Sequence, residues 1–169
     1  MTDRMTQGPE TDVVLCTALI AGCRELTRLG LTYGTSGNVS LRRDPTSFFV
    51  SPTGMAYETL QPHDVPLVTL DGRWFGRRRP SSEWRFHRDI MAVRSEVGAI
   101  VHTLEGRKAC LLAHHGLIAT GIDLPAALKL AGEVESLAAQ YCAARALGNV
   151  GLLEGETLPP ERAKTSARS

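Results

Sequence analysis

The period of the apolar residues changes partway along the chain, and that change restricts the fold more than any other feature. Over residues 10–29 the apolar positions Val13, Val14, Ala18, Ala21, Leu26 and Leu29 follow helical spacing, and Gly30 supplies the stop. Beyond it the pattern becomes short apolar runs cut by turn residues. Residues 39–42 and 48–51 are separated by Asp44-Pro45, and residues 65–70 end at an Asp71-Gly72 hairpin signal, with Trp74 and Phe75 returning. A second helix is expected from a Ser81-Ser82 N-cap to about Arg94. Residues 97–103, 109–113 and 117–120 are strand-like. Asp123 then caps a last helix, with Pro125 in its first turn, and Gly148 ends it.

Helix, strands, helix, strands, helix predicts a single α/β domain whose central sheet, mainly antiparallel or mixed, is covered by helices. The domain is expected over residues 12–150, between a flexible N-terminus (1–11) and a flexible tail (151–169) that lacks periodicity.

At 169 residues, with 43% hydrophobic and 22% charged residues, the chain can bury a core of ordinary size. A formal net charge of +1 gives no global reason to expect nucleic acid or an anionic membrane as partner. The run Arg77-Arg78-Arg79 reads as a solvated loop. No stretch approaches the roughly 20 apolar residues of a membrane span, and residues 1–10 have no apolar signal core. Cys16, Cys23, Cys110 and Cys142 form no CxxC pair and read as reduced, mostly buried thiols, so a cytoplasmic protein is expected.

Three constellations could carry chemistry. The first is a set of small polar loops: Ser36-Gly37-Asn38, Ser51-Pro52-Thr53-Gly54 and Ser81-Ser82. Glycine lets backbone N–H groups approach a ligand, hydroxyl and amide side chains add donors, and a helix start at Ser81-Ser82 would favour a phosphate. Taken singly each is an ordinary turn or cap; their succession ahead of Glu83 is what points to a site. The second is Glu83 itself, either a carboxylate stabilising the first turn of a helix or a general base. The third is histidine. His102 and His114-His115 end apolar strands, with His63 in a loop and His87 on a helix, and imidazoles from neighbouring strand ends can converge on Zn²⁺. Without further context a lone strand histidine is more often a satisfied core or rim residue.

Read together, Gly34-Thr35-Ser36-Gly37-Asn38-Val39-Ser40, Ser51-Pro52-Thr53-Gly54-Met55, Pro80-Ser81-Ser82-Glu83-Trp84, Val101-His102-Thr103 and Ala113-His114-His115-Gly116 resemble the class II (zinc-dependent) aldolase/adducin family, most closely the fuculose-phosphate type. The resemblance implies that Asn38, Thr53, Gly54, Ser81 and Ser82 cradle a sugar phosphate, and that Glu83 is the acid/base next to the carbonyl. It further implies that His102 and His115 ligate zinc, and that the chain assembles as a homo-oligomer, a fourfold ring. Zinc-dependent aldol cleavage of a ketose phosphate of the fuculose or ribulose type follows, with sugar-phosphate epimerases and dehydratases as neighbours within the fold.

The sequence departs from that pattern at one place. The family has His-Thr-His where this chain has His102-Thr103-Leu104, so the third ligand position holds leucine. Directly after it, Glu105-Gly106-Arg107-Lys108-Ala109-Cys110-Leu111-Leu112 matches a segment that normally arrives a few dozen residues later. This predicts an internal deletion between Thr103 and Leu104 and a tight hairpin over residues 104–108, with Glu105 or His87 as the remaining groups that could substitute for the lost ligand. The alternative function is a catalytically impaired remnant, or a non-enzymatic interaction module of the adducin kind.

Overall fold

A computed structural model of the protein describes residues 9–32, 37–101, 109–112 and 116–148. The first helix, α1, spans Pro9–Arg28 and ends at Gly30, whose φ of 68° lies in the left-handed region. Strands β1 (Ser40–Asp44) and β2 (Ser47–Val50) form a hairpin whose turn is held by Asp44: its carboxylate accepts bonds from Thr46 N–H, Thr46 Oγ1, Ser47 Oγ and Arg43. Short 3-10 turns at Tyr57–Thr59 and Pro62–Asp64 lead to β3 (Leu67–Thr69) and β4 (Trp74–Phe75). Helix α2 (Trp84–Val93) precedes β5 (Ala99–Val101), β6 (Ala109–Leu112) and β7 (Gly116–Gly121), and α3 (Leu124–Leu147) follows.

The described strands make one sheet in the order β4-β3-β2-β1-β5-β7-β6, antiparallel at every pairing. The expected central sheet is therefore present in its antiparallel form. The expected hairpin between the fifth and sixth strands is not. Val101 and Ala109 both pair with Ala119, from opposite edges of β7. Strands β5 and β6 thus run in the same direction with β7 between them, and parallel neighbours of a shared partner cannot be hairpin mates. Residues 102–108, on which that expectation fell, lie outside the described part.

Alternation along the strands divides the core into two layers. Leu41, Phe49 and Ala99 face α1 and the start of α3, joining Leu19, Ile20, Cys23, Leu26, Leu124 and Ala127. Phe48, Val50 and Ile100 face the other way and meet Trp84 and Met91 of α2. Strand β2 is buried on both faces, as a central strand between helical layers must be. Truncating Phe48 to alanine costs about 3–5 kcal/mol on general experience with buried aromatics.

The chain divides into two compact units, Met1–Ser136 and Leu137–Ser169. The sheet and every described candidate site residue belong to the first. In the second, the described end of α3 exposes Leu137, Tyr141 and Leu147. Among the described residues no helix is long and apolar enough to cross a membrane. Cys16 and Cys23 are buried and free, and burial pushes their thiols up to about 11 and about 12; Cys142 is free and exposed.

Candidate functional site

Backbone hydrogen bonds stitch three separate loops into one surface. Ser51 N–H donates to the Val39 carbonyl (2.9 Å), and Val39 N–H donates to Ser51 Oγ (3.2 Å), so the loop before β1 lies against the loop after β2. Ser81 N–H donates to the Ser51 carbonyl (3.0 Å), Thr53 N–H donates to the Arg79 carbonyl (3.1 Å), and Pro52 bridges Pro80. The segments 51–54 and 79–82 therefore run side by side. Gly37 (φ 81°) and Gly54 (φ 70°) hold left-handed conformations in these loops, where a side chain would be strained.

Asn38, Thr53, Gly54, Ser81, Ser82 and Glu83 are brought to this surface together. Thr53, Gly54 and Ser82 are exposed, while Asn38 and Ser81 are buried at its floor. Next to it, Arg78 of the arginine run forms an ion pair with the buried Asp64 (3.0 Å).

Glu83 is the N-cap of α2, and not, as expected, a residue of its first turn; Ser81-Ser82 stands one step outside the helix. The reason is a turn in which Trp84 N–H reaches back to the Ser81 carbonyl (3.1 Å) and Glu83 N–H to Ser81 Oγ (3.3 Å). The Glu83 side chain does not cap its own helix. It accepts a hydrogen bond from Asn38 Nδ2. Asn38 Oδ1 meets His87 Nε2, and His87 Nδ1 meets Ser40 Oγ at 2.7 Å. His87 and Ser40 are fully buried.

Sequence reasoning treated His87 as a spare imidazole that could replace a lost metal ligand, and both of its ring nitrogens prove to be engaged. A signal was available: Trp84, His87 and Met91 form the buried stripe of α2, so the histidine interrupts an apolar row at helical spacing. Tyr57 was also missed. Its hydroxyl donates to the Gly37 carbonyl (2.7 Å), bracing the residue before Asn38. Burial, then the nearby Cys23 and Glu83, raises its pKa, so it stays a donor.

His102, Leu104, Glu105, His114 and His115 lie outside the described residues. Among the described residues no three histidine, cysteine or acidic side chains come together as a metal site.

The comparisons with known proteins agree with this geometry. The sequence matches the class II aldolase and adducin N-terminal domain family in two pieces, residues 17–105 and 103–142, which overlap around Leu104. It is 39% identical to the 5-methylthioribulose-1-phosphate/5-deoxyribulose-1-phosphate aldolase of Rhodospirillum rubrum, covering 79% of this chain and 82% of that protein. That alignment runs over 183 positions, more than the 169 residues of this chain, so the relative carries an internal stretch that this chain lacks. Identity to the L-fuculose phosphate aldolase of Escherichia coli K12 is 33%, covering 75% and 82%. The fold superposes on a solved L-fuculose 1-phosphate aldolase with a TM-score of 0.78 at 25% identity, covering 85% of this chain and 92% of that one. Family match, sequence identity and fold coincide: the chain belongs to the class II aldolase/adducin family.

Proposed function

We propose that this chain binds a phosphorylated ketose of the ribulose- or fuculose-phosphate type and uses Glu83 to move the proton beside the substrate carbonyl, with metal-dependent carbon–carbon cleavage impaired by Leu104. The observation that carries the reading is the stitched surface. Loops distant in sequence are joined by main-chain bonds, and a carboxylate stands at their edge, held by a side-chain amide. Thr53, Ser81 and Ser82 offer hydroxyl donors to the phosphate, and Gly54 and Ser82 their N–H groups, those of Thr53 and Ser81 being engaged in the seam between the loops. Asn38 borders that cradle, and its side chain serves Glu83. Facing a bound ketose, Glu83 abstracts and returns a proton.

Zinc, implied by the family, would draw nitrogen donors from His102 and His115. A catalytic zinc takes three protein ligands, and Leu104 leaves this set one short. His87 is committed to Asn38 and Ser40. The donors do not fit a full centre, so binding and proton transfer rest on the groups around Glu83. A second reading, an adducin-like interaction module without catalysis, is favoured by Leu104 alone. Assembly as a homo-oligomer and a cytoplasmic location belong to the same proposal. Leu111, exposed on the edge strand β6, supports the former.

Zinc per chain after dialysis against a mild chelator, with cleavage of 5-deoxyribulose 1-phosphate assayed alongside, tests the reading. The expected result is zinc well below one per chain and slow cleavage. Stoichiometric zinc with brisk cleavage contradicts the impairment, and a chain that binds no sugar phosphate leaves the interaction module.

A further inference from the structure

The buried histidine of α2 has an assignable task. Glu83 Oε2, as a carboxylate oxygen, can only accept, so Asn38 must present its NH₂ group there. The Asn38 carbonyl then faces His87, which must donate from Nε2. A neutral ring protonated at Nε2 leaves Nδ1 bare, and the Ser40 hydroxyl donates to it. Every donor in the row Ser40, His87, Asn38 therefore points toward Glu83. Turning the Asn38 amide over would set two acceptors against each other at Glu83 and two donors against each other at His87. The tautomer of His87 thus decides the orientation of Asn38, and Asn38 decides how the Glu83 carboxylate is held.

We propose that His87, backed by Ser40, is a positioning residue for Glu83, fixing the Asn38 amide so that it donates to the carboxylate. This rests on the reading of Glu83 as the base. The location suits the task. His87 lies one turn along the helix that Glu83 caps, Ser40 is pinned on β1 between Val50 and Ile100, and both are closed to solvent. Such a row keeps one geometry because each member has its partner inside the protein. The row is bonded to Asn38, whose amide serves Glu83, so loss of His87 should leave the donors of Thr53, Gly54, Ser81 and Ser82 to hold the ligand.

The test compares wild type with His87→Leu, His87→Gln and Glu83→Gln, using 5-deoxyribulose 1-phosphate as probe. Its affinity is measured by calorimetry, and exchange of its carbon-bound proton with D₂O by NMR. His87→Leu is expected to slow exchange about tenfold to a hundredfold with affinity unchanged within about twofold. His87→Gln, whose amide can donate to Asn38, is expected to recover most of the rate. Equal rates in wild type and His87→Leu would overturn the proposal, as would equal losses in the leucine and glutamine variants, which would mark a space-filling role. Imidazole ¹⁵N spectra read the inference without turnover. Wild type is expected to show a single Nε2–H tautomer that Asn38→Ala releases to a mixture, and a ring protonated at Nδ1 alone overturns it. Absence of any Glu83-dependent exchange in wild type refutes the base reading instead, and the tautomer result then stands apart from it.

Discussion

The proposed phosphate-and-base side of the site and the proposed metal side are built differently, and an internal deletion treats them differently. The hydrogen bonds described around Glu83 come from residues 37–87: main-chain bonds between loops and one buried side-chain row. None of those bonds is made with chain beyond the break in the family match at 103–105. The metal side is the reverse. The histidines proposed for it, His102 and His115, stand on either side of that break in sequence, and the third position of the proposed set falls on Leu104. A cluster assembled within one stretch of chain survives the loss of a distant segment. A centre whose ligands straddle the lost segment does not, because it needs ligand number and geometry together.

That comparison can be broken or sharpened by substitution. The largest effect is expected from Glu83→Gln, which keeps an acceptor for Asn38 and removes the base. Substrate proton exchange should fall about 10²–10⁴-fold while sugar-phosphate affinity persists, measured by NMR and calorimetry. If the rate is unchanged, the 37–87 side is not a catalytic half. Next, Leu104→His restores the family ligand and should tighten zinc on the order of a hundredfold, read by competition with a chromophoric chelator. No change would mean that the deletion removed the geometry as well as the ligand.

A smaller effect is expected at the seam where β5 meets the loop into α3. A Cβ on Gly98 would collide with the Ile122 carbonyl, a main-chain atom that cannot step aside. Gly98→Ala should cost about 1–3 kcal/mol in denaturant unfolding. Hydrogen exchange should quicken first in β5 and β7, and only afterwards in β1 and β2.

The smallest effect concerns the β1–β2 turn. Burial works against ionisation of Asp44, yet bonds from Ser47, Thr46 and Arg43 hold its pKa down to about 2 from 3.8. A depressed folded-state value means the contribution is present above the unfolded pKa and is lost as pH falls from about 4 toward 2. Asp44→Asn should flatten that acid limb and cost about 1 kcal/mol at neutral pH.

Much of the fold was legible because local chemistry marks element ends. Gly30 and Gly148 stop α1 and α3, Asp71-Gly72 turns β3 into β4, and the apolar run Phe48-Phe49-Val50 marks a strand. Sheet order was not legible. The runs at 97–103 and 109–113 reveal two strands but not that β7 inserts between them, since partner choice depends on edges that only the assembled sheet defines. The small polar loops and Glu83 were singled out from their residues, and in the structure these loops lie side by side. The row behind Glu83 was hidden because a helix histidine and a loop asparagine, 49 residues apart, carry no sign of each other until the sheet is built.

The central claim is that the phosphate-and-base side stands without the metal side. Calorimetric titration of 5-deoxyribulose 1-phosphate into chelator-treated protein tests it most directly. The account predicts saturable binding at one site per chain, weakened about tenfold or more by Ser82→Ala. No binding, or binding that appears only when zinc is added back, would contradict it.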